Sequence, residues 1–164
     1  KVNILIAVIA FFATFAASPP TDSESKGLEI AKQADLADRG FEDSKVNLTM
    51  ILRNKRGQES KRLMTNRTLE LDTDGDKSLI TFNSPGDVKG TATLTFTHKE
   101  GPDDQWLYLP AIKRVKRISS DNKSGPFMSS EFAYEDMSSF ELGKYKFTYL
   151  KDDKVDGQDC FVLS

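Results

Sequence analysis

The sequence predicts a mainly β, α+β domain in which one N-terminal helix precedes a large, curved antiparallel sheet. Three observations carry this expectation. Near Lys45 the apolar spacing changes from about 3.6 residues to every second residue. From there, clusters of Gly, Pro, Asn and Asp break the chain every roughly 8–14 residues, as in an antiparallel meander. Parallel pairing would need a crossover helix between strands, and only the loop after Ser119 has room for one.

Length sets the frame for the elements. A chain of 164 residues holds one domain, read here as 21–164, behind a leader over 1–20. Lys1 supplies a positive end, and Ile4 to Ala17 is an apolar run broken only by Thr14. That run suits a signal-peptide core and is shorter than the ~20 residues a membrane span requires. A cut after Ala16 puts Thr14 and Ala16 at the two small-residue positions. No Cys stands at the boundary, so an acylated-Cys lipoprotein is not expected.

The helix is expected over Asp22 to Asp38, capped by Ser23 or Ser25 and stopped at Gly40. Leu28, Ala31, Ala34, Leu36 and Ala37 form a narrow stripe of mostly small residues, fit for close approach to a sheet. The first strand follows from Lys45, with Val46, Leu48, Met50 and Leu52 on one side. Further strands are expected at Gln58–Leu71, Lys77–Asn83, Gly90–Lys99, Trp106–Leu109 and Ile112–Ile118. In the fourth, Ala92, Leu94, Phe96 and His98 face one way and Thr91, Thr93, Thr95 and Thr97 the other. Pro110 lacks a ladder donor and marks a bend or an edge. Two last strands are expected at Lys144–Lys151 and Cys160–Leu163. The chain stops inside the second of these, so a sheet lacking C-terminal strands is expected.

Composition removes several function classes. Charged residues make up 29% of the chain and the net charge is -2. A nucleic-acid binder would carry a strongly basic domain, and none is expected as a partner. One cysteine, Cys160, gives neither a disulfide framework nor a Cys-rich metal site. His98 is the only histidine and has no zinc-type companions. Asp72, Asp74 and Asp76 imitate the start of a calcium loop, but Lys77 and Asn83 occupy the positions that need Gly and Glu. The triplet reads as a turn. No catalytic residue, metal or cofactor is expected.

The remaining signal is apolar. A curved sheet must cover its apolar face, and the available cover is the N-terminal helix with the Ser119–Ser139 segment. Imperfect closure leaves a hollow. Its expected lining is Leu48, Met50, Leu52, Leu94, Phe96, Trp106, Tyr108, Phe127, Met128 and Phe132, residues that also read as an ordinary core. Burial of about 0.8 kcal/mol per methylene makes acyl chains suitable occupants of such a space. Phe127 and Met128, on the Gly125-Pro126 turn, are candidates for a lid. Arg114 and Lys116 share one face of a basic strand and are candidate contacts for a head group or a partner.

The stretches Gln105–Pro110, Lys113–Ile118, Asn122–Met128 and Ser130–Met137 resemble the bacterial outer-membrane lipoprotein-sorting proteins, relatives of the periplasmic carrier LolA. The resemblance extends from about Gly27 onward. It implies a LolA-like half-barrel with a loop-helix lid, a periplasmic location, and a carrier of lipoprotein acyl chains or free lipid. It also implies an inner-membrane transporter complex and an outer-membrane acceptor as partners. Two other readings stay open: an interaction module that docks a membrane transporter without cargo, and a hydrolase dependent on His98.

Overall fold

The computed structural model describes residues 21–119 and 122–164. The leader expected over 1–20 lies outside them. Helix α1 runs Asp22–Ala37 and is followed by β1 (Asp43–Arg53), β2 (Glu59–Leu69), β3 (Lys77–Ser84) and β4 (Ala92–Phe96). β5 (Asp104–Leu109), β6 (Arg114–Ile118), β7 (Tyr149–Val155) and β8 (Gln158–Leu163) complete the strands. The first six form one open antiparallel sheet in sequence order, and β7 and β8 form a separate hairpin. The mainly β architecture with one N-terminal helix and an unclosed sheet is therefore present.

The cap of α1 is Thr21, not Ser23 or Ser25. Its hydroxyl accepts the Glu24 N–H at 3.3 Å, and the Glu24 carboxylate accepts the Thr21 N–H at 2.7 Å. This reciprocal pairing satisfies two of the free donors of the first turn, which a lone serine would not. The helix turns Gly27 and Ala31 inward and leaves Leu28 and Leu36 exposed. Gly27 is required by contact: a Cβ there would lie 2.7 Å from the Tyr149 nitrogen and 2.9 Å from the Phe147 carbonyl carbon. The small-residue stripe thus does allow close approach, but onto the entry to β7.

The seventh strand differs from expectation. Leu142–Lys144 is a single 3₁₀ turn, and β7 begins only at Tyr149. Asp156 and Gly157 both have positive φ, at 52° and 80°, and make the tight turn that pairs Val155 with Gln158. An Asp-Gly pair between strands is a hairpin signal because both turn positions need left-handed backbone.

Paired residues of neighbouring antiparallel strands project to the same side. The register therefore divides the six-stranded sheet into two faces. One carries Met50, Met64, Ile80 and Phe82, with Thr93, Thr95, Gln105 and Leu107. The segment from Asn122 to Ser139 covers this face. Phe127 is its anchor, fully buried, with its ring 5.9 Å from Phe82 and 5.4 Å from Tyr134. Val88 joins the same core, and Leu52, Met128, Tyr134 and Met137 pack around it. The lid helix expected here is replaced, among the described residues, by short 3₁₀ turns at Phe127–Ser129 and Glu135–Met137.

Candidate functional site

Two hollows flank the cover. The smaller, of about 430 Å³, lies between the end of β1 and the tip of the cover, where Met50, Leu52 and Phe132 meet Ser129, Ser130 and Glu131. The larger, of about 1270 Å³, opens between α1, the ends of β1 and β2, and the strands' C-terminal companions. Ala31, Ala34, Phe41, Phe140, Phe147 and Leu163 give it apolar walls. Small-molecule sites commonly occupy about 300–1,000 Å³, so neither hollow is too small for a hydrocarbon tail.

The rim of the larger hollow is acidic. Asp35, Asp38, Glu70, Asp72, Asp74, Asp76 and Glu141 line it, against Arg39 and Lys99. Several are structural. Glu70 accepts the N–H groups of Gly40 and Glu42 at 2.8 and 2.9 Å, which tie the α1–β1 link to the end of β2 and hold its carboxyl below the usual range. Asp74 accepts the Lys99 N–H at 2.9 Å and lies 2.7 Å from His98 Nδ1. These contacts hold its carboxyl well below the ordinary value. The second ring nitrogen of His98 lies 3.3 Å from Asp104, which also pairs with Arg117. Asp74 and then Asp104 raise the His98 pKa by stabilising the imidazolium. Burial raises the carboxyls of Asp76 and Glu141, with each negative charge also acting on its neighbours. The aspartate triplet thus closes a turn onto the β4–β5 turn. Among the described residues no group of His, Cys, Asp and Glu is placed to hold a metal ion.

The ten residues expected to line one hollow stand on two faces. Leu48, Met50 and Leu52 lie on the covered side of β1, and Phe127, Met128 and Phe132 come down on that side with the cover. Leu94, Phe96, Trp106 and Tyr108 lie on the opposite side, with Phe96 edge-on to Trp106 at 5.2 Å. The alternation in β4 is as expected, but its threonine side faces the cover. Thr93, Thr95 and Thr97 are buried there. Gln105 and Thr97 on this side meet the cover's polar backbone, and Thr95 accepts from Gln105. Gln105 Nε2 donates to the Tyr134 carbonyl at 2.7 Å, and Thr97 Oγ1 accepts the Ser139 N–H at 3.1 Å. An all-aliphatic floor would leave such groups without partners. Arg114 and Lys116 stand exposed on the edge strand and line neither hollow.

The cover is tied down at few points. Arg62 donates to the Met128 carbonyl, and Lys123 to that of Asp103. Met128 and Ser129 both have left-handed backbone, φ 49° and 63°, which costs non-glycine residues about 1 kcal/mol or more each. Sequence reasoning missed Arg62, Gln105 and Lys123 because their partners are backbone carbonyls distant in the chain.

An open antiparallel sheet with a helix beside it and a hollow between them is a fold found in several solved structures. A LolA superfamily protein from Nitrosomonas europaea matches with a TM-score of 0.58 at 19% identity, over 84% of this chain and 57% of its own. A Vibrio parahaemolyticus domain described as an outer membrane lipoprotein-sorting protein matches at 59% identity and a TM-score of 0.82, over 85% of this chain and 59% of its own. A DUF1329 family protein from Desulfovibrio piger matches at 32% identity and a TM-score of 0.79, over 87% and 61%. A family model described as an uncharacterised protein matches residues 74–164, and no curated protein matches. The chain belongs to the family of that model, which matches more than half of it. It spans about three fifths of the length of these solved relatives.

Proposed function

We propose that the protein is a periplasmic carrier that takes acyl chains of lipoproteins, or free lipid, out of water and releases them toward the outer membrane. The observation that carries this is an open hollow with apolar walls beneath α1 in a chain 59% identical to a domain described as an outer membrane lipoprotein-sorting protein. It acts by binding one cargo at a time, without chemistry. Met50, Leu52 and Phe132 line the smaller hollow at the cover's tip, with Met128 packed nearby, and in this reading form the entry. The cover lifts from its few polar ties, the chain enters, and the rims close over it. An inner-membrane transporter complex and an outer-membrane acceptor are the partners this role requires.

A fluorescent fatty-acid probe tests the entry. Leu52→Asp with Phe132→Asp places two charges in the smaller hollow without touching the buried Phe127. The double variant is expected to retain its circular dichroism and lose at least tenfold in probe affinity. Unchanged affinity in the folded variant rules out this entry. The docking-module reading rests on β1 and β6 being the edges of the described sheet, and it predicts no probe binding by the wild-type chain.

A further inference from the structure

The face of the six-stranded sheet turned away from the cover has a pattern of its own. A single register row crosses all six strands: Lys45, Arg67, Leu79, Leu94, Trp106 and Arg117. The ends of the row are cationic and its middle is apolar and aromatic. The adjacent row ends in Tyr108 and Val115, which are 37% and 64% exposed. Leu63, Leu69 and Ile51 are exposed toward the other edge of this face. Among the described residues no helix packs across it, because α1 lies on β7 and the cover lies on the opposite side.

The outer face is basic, as are Arg62, Arg114 and Lys116 on the covered side, while acidic groups gather at the mouth of the larger hollow. The register puts six cations on this outer face against three carboxylates, Asp43, Glu59 and Asp104. Glu59 pairs with Arg53, and Asp104 with Arg117. Lys45, Lys61, Arg67 and Lys77 pair with no carboxylate among the described residues, and the Lys77 ammonium lies 4.5 Å over the Phe96 ring. The larger hollow opens among carboxylates instead. A chain of net charge -2 therefore carries a positive face and a negative mouth.

We propose that this outer face docks on the surface of an anionic phospholipid bilayer. The chemistry is complementary. Unpaired cations meet lipid phosphates, each adding an attraction that salt screens. Trp106 and Tyr108 have the apolar body and polar tip that suit the head-group layer. Exposed Val115 and Leu69 add shallow apolar contact. The proposal stands on the face alone and does not depend on what fills the hollows. An acidic protein surface would meet the cations equally well but gives the exposed aliphatic residues less to do.

Trp106 is the only tryptophan and lies in the docking row, so its emission reports this face and no other. The full chain is mixed with vesicles of pure phosphatidylcholine, or of phosphatidylcholine with phosphatidylglycerol, at low and high salt, and separately with soluble polyglutamate. A blue shift of Trp106 is expected with the anionic vesicles at low salt only. Lys45→Gln with Arg67→Gln is expected to weaken it about twenty-five-fold, from about fivefold per cation. Lys32→Gln with Lys55→Gln, which removes the same charge elsewhere, is expected to leave it unchanged. The proposal is overturned if anionic vesicles give no shift, or if the two double variants behave alike. It is also overturned if polyglutamate produces the shift and vesicles do not, which would assign the face to an acidic protein.

Discussion

His98 is held between carboxylates from two different turns, Asp74 at 2.7 Å and Asp104 at 3.3 Å. Its role is to fasten the turn after β2 to the start of β5, next to the acidic mouth. The sign of its pH dependence follows from its raised pKa. The contribution to stability is complete below the ordinary histidine value of about 6.5 and is lost as pH rises through the higher folded value. Asp74 works at the other end. Its lowered pKa adds stability above the ordinary aspartate value near 3.8, lost as the pH falls below it. Thermal unfolding should show a Tm that declines from about pH 6.5 upward in the wild type, and a His98→Gln variant in which that decline is absent. The same slope in both would remove His98 from this role. The sequence showed one histidine without metal companions. It did not show the clamp, because the two carboxylates lie 24 and 6 positions away on turns that meet only in the folded sheet.

The elements divide into those set by local pattern and those set by contact. The helix and the six-stranded meander were legible because spacing reports the period directly, and turn residues report the breaks. The choice of inner face was not legible. In β4 the larger apolar residues, Leu94 and Phe96, suggested burial, yet Thr93 and Thr95 are fully covered. The position of the cover, whose backbone meets Gln105 and Thr97 on that side, sets which face is inner. Two substitutions test these contacts. Gly27→Ala should destabilise by about 1–3 kcal/mol, since backbone atoms of Phe147 and Tyr149 cannot yield and the helix-propensity gain of about 1 kcal/mol is smaller than the full overlap. A stabilised variant in denaturant unfolding would contradict the close packing of α1 on β7. Phe127→Ala should cost about 3–5 kcal/mol, because its fully buried ring anchors the cover between Phe82 and Tyr134. A cost below ~1 kcal/mol would show that the cover is not anchored there.

At the scale of the whole molecule, the sheet separates two tasks. Its covered side has a small, tightly packed core and two hollows at the margins. Its outer side has cations and aromatic residues in register. The sequence led to one hollow lined by all ten apolar candidates, and the sheet instead places four of them, Leu94, Phe96, Trp106 and Tyr108, on the outer side. Period-two spacing shows that two faces differ but not which residues on neighbouring strands share a face, and that depends on register. The central claim is that the marginal hollows hold hydrocarbon. Native mass spectrometry of the full chain, isolated from the envelope without detergent, tests it most directly. A population carrying one lipid or lipoprotein acyl mass is expected, and Leu52→Asp with Phe132→Asp should remove it. A homogeneous lipid-free mass that also takes up no added phospholipid would contradict that claim.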